Sequence, residues 1–267
     1  MRDPLEGVDD GGCIRTGAAR TRVPATYEPV VKELVAAFEG VRPPTAPASL
    51  LLYGSVATGQ ARPPGSDVDV VVVGVPRAAA TSVGEDLSER FRGVAREVAL
   101  GAAQLADLEG DDDEAHGNRV FLRHYCVLVA GDDVTAGWSP FPADARGFNG
   151  DIATCLVRWR REGGGESRLD RPQAAALGRR VARKTLLAAA GLVSVHDATW
   201  TTDRTTGAHR WAEVDPAVGD DLRELLAWAE GASSATGAEV RRVLGVHGAV
   251  QRVADAFRDR IGLWDLR

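Results

Sequence analysis

The sequence predicts an α+β chain whose first half alternates short apolar strands with helices and whose second half is helical throughout. Three observations lead there. Residues 68–73 form a nearly unbroken valine run, the pattern of a buried strand. Residues 27–38 carry apolar side chains at helical spacing, and 78–91 read as a surface helix. Beyond residue 150 the helical period persists through long segments punctuated by glycine.

Residues 1–25 hold Gly, Asp, Arg and Pro without periodicity and are expected to form a mobile tail. In 27–38, Val30, Val31, Leu34, Val35 and Phe38 mark one helix face, and Pro43, Pro44 and Pro47 close its connection. Residues 49–53 then make a first strand and 68–73 a second, with Arg62-Pro-Pro-Gly-Ser66 turning between them. Gly74 and Pro76 end the second strand. The helix over 78–91 keeps Glu85, Asp86, Glu89 and Arg90 on its wet side. Apolar stretches follow at 94–100, which contains Glu97, and at 125–130, which ends in Gly131-Asp132-Asp133. A stiff Pro140-Phe-Pro142 connector sets a domain boundary, giving an αβ domain over 26–143 and a helical domain over 144–267. In the latter, helices are expected at 151–161, with Ile152, Leu156 and Trp159 on one face, at 172–190 after the break Gly163-Gly164-Gly165, at 220–232 and at 238–261.

The 267 residues and 44% apolar content suit two modest domains. No apolar run approaches a membrane span and the N-terminus lacks the pattern of a signal peptide, so a cytoplasmic protein without a membrane partner, monomeric or homodimeric, is expected. Cys13, Cys126 and Cys155 are too widely spaced for a disulfide framework or zinc site and read as reduced thiols. A net charge of −6 argues against a nucleic-acid partner and suits a small cationic one. With 30 arginines and only 2 lysines, Lys184 stands out.

The chemistry concentrates in residues 51–74. Gly54-Ser55 follows an apolar run, eleven residues intervene, and Asp67-Val68-Asp69 leads into Val70 to Val73. Strand alternation projects Asp67 and Asp69 from one face and Val68, Val70 and Val72 from the other. Two adjacent carboxylates repel, and a shared proton or a divalent cation with hard oxygen ligands relieves them; Mg²⁺ is the natural occupant. Such a pair alone often marks a solvated turn, but five valines behind it make uncompensated charge costly. Gly54 permits close backbone approach, and N–H groups of a first helical turn near 56–60 would receive an anion. Phosphate beside Mg²⁺ describes a nucleoside triphosphate site.

This pattern resembles the DNA polymerase β type nucleotidyltransferase superfamily, and within it the aminoglycoside (streptomycin/spectinomycin) adenylyltransferases. The resemblance implies a small αβ domain with a mixed sheet and flanking helices, followed by a helical bundle that grips the acceptor. It implies ATP as co-substrate and two Mg²⁺ ions. Asp67 and Asp69 would be metal ligands and catalytic, with Glu97 as third carboxylate and general base. Otherwise Glu97 is a solvent-facing edge-strand residue, and Asp107 or Asp111 to Asp113 are the alternatives. Gly54, Ser55 and Ser66 would bind phosphate. Asp144 would contact ATP or cap the next helix, and Lys184, flanked by Arg180 and Arg183, would reach the triphosphate or lie on a solvated face. In the polar segment 199–204, Arg204 stands where the family usually has lysine, keeping the charge but replacing a point contact by a fork. His196 and His209 read as structural. Trp138, Trp159, Trp200 and Trp211 read as core, or as platforms lining an acidic cleft. The implied reaction moves AMP from ATP to a hydroxyl of a small molecule, an aminoglycoside-type antibiotic; the alternatives are a macromolecular acceptor, protein or tRNA, and a non-catalytic nucleotide-binding module.

Overall fold

A computed structural model describes residues 3–164 and 169–265. One unit spans Asp3–Pro142 and another begins at Ala143. Residues 3–25, expected as part of a mobile tail, are instead built into the first unit; residues 1 and 2 lie outside the described residues. Strands β1 (Gly7–Val8) and β2 (Ile14–Arg15) pair antiparallel. The Asp9 carboxylate organises their turn by accepting the N–H groups of Gly11 and Cys13, both at 2.9 Å. Ile14 and Val23 are buried, and their apolar burial offsets the entropy of ordering the segment. Periodicity was no guide here because the strands are only two residues long.

Helix α1 (Glu28–Val41) buries Val30, Val31, Leu34 and Phe38 along one stripe, as its spacing predicts. Strand β3 (Ser49–Tyr53) runs straight into the single turn α2 (Gly54–Ala57), and β4 (Val68–Val73) returns antiparallel to β3. Helix α3 (Arg77–Arg90) is the crossover that a parallel neighbour requires, delivering β5 (Val98–Ala103) alongside β4. Helix α4 (Asp113–Tyr125) leads to β6 (Val127–Gly131), antiparallel to β3. The mixed sheet has the order β5-β4-β3-β6.

The two faces of β4 meet different partners. Val68, Val70 and Val72 join Leu50, Leu52 and residues of α1 and α3 in the larger core. Val71 and Val73 join Leu51, Leu108 and Leu122 in a smaller one beneath α4. Two differences from the sequence expectation matter for the site. The sequence predicts a polar loop over Asp111 to Asp113, whereas Asp112 caps α4 by accepting the Ala115 N–H at 2.9 Å and Asp113 opens the helix. The strand expected over 94–100 starts at Val98, because the chain first winds once more after α3, with the N–H groups of Val94 and Ala95 both donating to the Phe91 carbonyl.

In the second unit, α5 (Ala145–Asn149) and α6 (Ile152–Gly163) precede the long α7 (Arg171–His196), followed by α8 (Arg204–Val214), α9 (Gly219–Glu230), α10 (Gly237–Leu244) and α11 (Ala249–Arg260). Helix α7 is central, packed by α5, α8, α9 and α11. Its Ala188, Ala189 and Ala190 are buried and admit α8 so closely that a Cβ on Gly207 would lie 2.7 Å from the Leu186 carbonyl. Helix α8 was not anticipated. The segment expected as one helix over 238–261 divides at Gly245 to Gly248, where the chain turns too tightly for a Cβ on Gly248. Gly163 and Gly164 end α6; Gly165 lies outside the described residues, as do 266 and 267. Among the described residues no helix is long and apolar enough to cross a membrane.

Candidate active site

Register brings the Gly-Ser turn and the paired aspartates together. Tyr53, the last residue of β3, pairs with Asp69 of β4. Gly54 follows with φ of +71°, a conformation costly for residues with a Cβ. A Cβ there would stand 3.2 Å from the Asp69 Cγ and overlap its Oδ2. Both demands select glycine, so the backbone at Gly54 and the Asp69 carboxylate are in direct apposition. Ser55, half-buried, is the second residue of α2, and its carbonyl accepts the N–H groups of Gln60 at 2.8 Å and Ala61 at 3.0 Å. The Ser66 hydroxyl accepts the Arg62 N–H at 2.9 Å and so holds the turn entering β4. Tyr27, which sequence reasoning did not single out, is buried close to Ser66 and Asp67, and burial raises its phenol pKa.

Asp67 and Asp69 lie on the α4 side of the sheet, at the end of the face that carries Val71 and Val73. Glu97 is exposed and stands one residue before β5 rather than within it. Continuing the parallel register of Val68 with Val98 sets Glu97 beside Asp67, and Val68 N–H donates to the Glu97 carbonyl at 2.9 Å. Asp67, Asp69 and the Glu97 backbone therefore occupy adjacent positions at one end of the sheet.

Arg96 is the principal omission of sequence reasoning. Its guanidinium forks onto Asp67, Nε to Oδ1 at 2.8 Å and Nη2 to Oδ2 in a short second bond. Hydrogen bonding to Asp67 raises its pKa, with added attraction from Glu97 and Asp69. Strand alternation would have sent Arg96 away from the face of Glu97. The bend before β5 cancels that rule, and Arg96 N–H is anchored on the Ser66 carbonyl at 3.1 Å.

The alternative third acids are otherwise employed. Asp107 closes a capping box with Gln104, accepting its N–H at 2.7 Å, and Asp112 caps α4. In the second unit Asp144 caps α5 through the Gly147 N–H at 3.0 Å. Lys184 Nζ pairs with Asp151 Oδ1 at 2.6 Å and donates to Asn149 Oδ1 at 3.2 Å. Arg204 opens α8, directly after Asp203, whose carboxylate accepts the Thr206 N–H at 2.8 Å. Trp159, Trp200 and Trp211 are buried core residues, and Trp138 packs partly buried near α4.

Asp67, Asp69 and Glu97 offer the hard carboxylate oxygens that Mg²⁺ takes. Among the described residues no three acids, histidines or cysteines already converge on one point, and Arg96 engages both oxygens of Asp67. The donor set therefore fits a divalent cation by its chemistry, while Arg96 neutralises Asp67.

Residues 32–110 match the family model described as a nucleotidyltransferase domain, of the DNA polymerase β-like superfamily. The match runs from α1 past β5 and contains Gly54, Ser55, Ser66, Asp67, Asp69, Arg96 and Glu97, while Asp144, Lys184 and Arg204 fall beyond it. A search of curated proteins found no match. The enzyme is a nucleotidyltransferase, and a nucleoside triphosphate is its substrate.

Proposed function

We propose that the enzyme is an Mg²⁺-dependent adenylyltransferase that moves AMP from ATP to a hydroxyl of a small cationic acceptor, an aminoglycoside-type antibiotic, in the cytoplasm. The observation that carries this reading is the juxtaposition of Asp67, Asp69 and Glu97 at one sheet end with the Gly54 backbone against Asp69. Net charge of −6 favours a cationic acceptor over a polyanionic one.

Asp67 and Asp69 would hold two divalent ions, which supply charge neutralisation for the triphosphate and acidify the attacking hydroxyl. Asp69 is oriented by its packing on Gly54, and Asp67 by the register with β5. Glu97, exposed one residue before β5, would accept the acceptor's proton. Ser55 and Ser66 would donate to phosphate oxygens, with Gly54 keeping the approach open. Asp144, Lys184 and Arg204 are proposed as further nucleotide contacts.

The test is incubation of purified protein with α-labelled ATP, Mg²⁺ and a panel of aminoglycosides, tRNA and proteins. Labelled aminoglycoside, lost in Asp67→Asn and Asp69→Asn, is the expected product. Losing a metal ligand removes several kcal/mol of transition-state stabilisation, so these variants should retain less than about a tenth of the activity. Label on tRNA or protein alone would overturn the acceptor class.

A further inference from the structure

We propose that Arg96 is a built-in counter-ion that occupies the metal-binding carboxylate of Asp67 in the nucleotide-free enzyme and releases it when a divalent cation and an anionic triphosphate arrive together. The proposal rests on the reading of Asp67 as a metal ligand. It assigns to Arg96 a role that strand periodicity hides.

The two partners differ in freedom. The Asp67 side chain is 12% exposed and sits at the head of β4, whereas that of Arg96 is 47% exposed. Breaking the pair therefore means moving the arginine. A groove of about 670 Å³, lined by Tyr53, Arg92, Arg96 and Glu97 among others, lies beside it and offers room for the guanidinium. The arrangement is also balanced in charge. Without a cation, Asp67, Asp69 and Glu97 would repel one another, and the Arg96 charge lies within the field of all three.

A divalent ion on Asp67 reverses the logic. Both carboxylate oxygens already accept from the Arg96 fork, so a cation competes with the guanidinium for the Asp67 charge, and the two positive groups then repel. A triphosphate resolves the conflict because a guanidinium fork matches phosphate oxygens as well as carboxylate. Metal binding by the free enzyme is thus penalised by the fraction of time Asp67 is unpaired. If that fraction is about one tenth, apparent affinity is about tenfold weaker than intrinsic.

The experiment measures Mn²⁺ binding to the full chain by the loss of the free-ion electron paramagnetic resonance signal, with and without a non-hydrolysable ATP analogue. Wild type, Arg96→Ala, Arg96→Gln, Asp67→Asn and the Arg96→Gln, Asp67→Asn pair are compared, each checked for folding by circular dichroism. Without nucleotide, both Arg96 variants should bind Mn²⁺ about tenfold more tightly than wild type. The analogue should then increase their affinity by a smaller factor than in wild type. Equal or weaker Mn²⁺ binding by both Arg96 variants, with Asp67→Asn still lowering affinity, would overturn the counter-ion role and leave the metal site standing. Unchanged Mn²⁺ binding in Asp67→Asn and in the double variant would overturn the metal site itself, and the proposal with it.

Discussion

Replacing Gly54 by alanine separates two reasons for the glycine. The first is conformational: φ is +71°, and an L-residue held in the left-handed region costs roughly 1–2 kcal/mol. The second is contact: the new Cβ would reach 3.2 Å from Asp69 Cγ and overlap Oδ2, well inside the ~3.5–4.0 Å at which carbon contacts become favourable. The carboxylate or the α2 backbone must move. Relieving that overlap adds about 1–2 kcal/mol, in the range of overpacking costs. Gly54→Ala should thus lose about 2–4 kcal/mol in chemical denaturation and, by displacing Asp69 a few tenths of an ångström to an ångström, about 10²-fold in transfer rate. The Asp69→Ala background removes the obstructing carboxylate. There, Gly54→Ala should cost only the conformational part, so the double-mutant cycle should show a coupling energy of about 1–2 kcal/mol. A coupling below about 0.5 kcal/mol, the usual limit of additivity for independent sites, would refute the claim that Gly54 is required by Asp69. A stability loss under the same limit in the single variant would refute the backbone argument too.

Further expectations concern separate groups. Glu97→Gln should depress turnover at least about 10²-fold, the lower range for a lost general base, with nucleotide affinity nearly unchanged; near wild-type turnover would remove Glu97 from the chemistry. His124 has a pKa below its ordinary value because burial disfavours the imidazolium, with Arg123 adding to the effect, and its Nε2 accepts the Phe141 N–H at 2.7 Å. A folded pKa below the unfolded ~6.5 means the unfolded chain takes up the proton first, so this contribution is present above that pH and lost as pH falls. The melting temperature should fall more between pH 7 and 5.5 in wild type than in His124→Gln; identical falls would contradict it. Burial also pushes the Cys155 thiol up to about 11, so at pH 8 iodoacetamide should modify it at least about 10²-fold more slowly in native than in denatured protein. Comparable rates would show that the residue is not enclosed.

Much of the catalytic half was legible because local rules sufficed. Residues 49–53 and 68–73 are strands as the apolar runs indicate, and period-2 alternation alone separates Asp67 and Asp69 from the valines that enter the larger core. The helical stripe of α1 likewise declared its buried face. What the sequence could not determine depends on where non-local segments meet. The strand order β5-β4-β3-β6 and the mixture of parallel and antiparallel pairs follow from packing of α3 and the register between strands far apart in the chain. The Glu97 backbone meets the head of β4 through that register, although the residue lies outside β5, where the sequence predicts it. Arg96 reaches Asp67 because a bend overrides alternation. The β1 and β2 hairpin and helix α8 carry too few periodic residues to announce themselves, and their form is decided by Asp9 and Asp203 satisfying exposed backbone N–H groups and by Ile14 and Trp211 finding partners to bury against. Periodicity reports which face of an element is apolar; only tertiary packing decides what that face, and the charges opposite it, will meet.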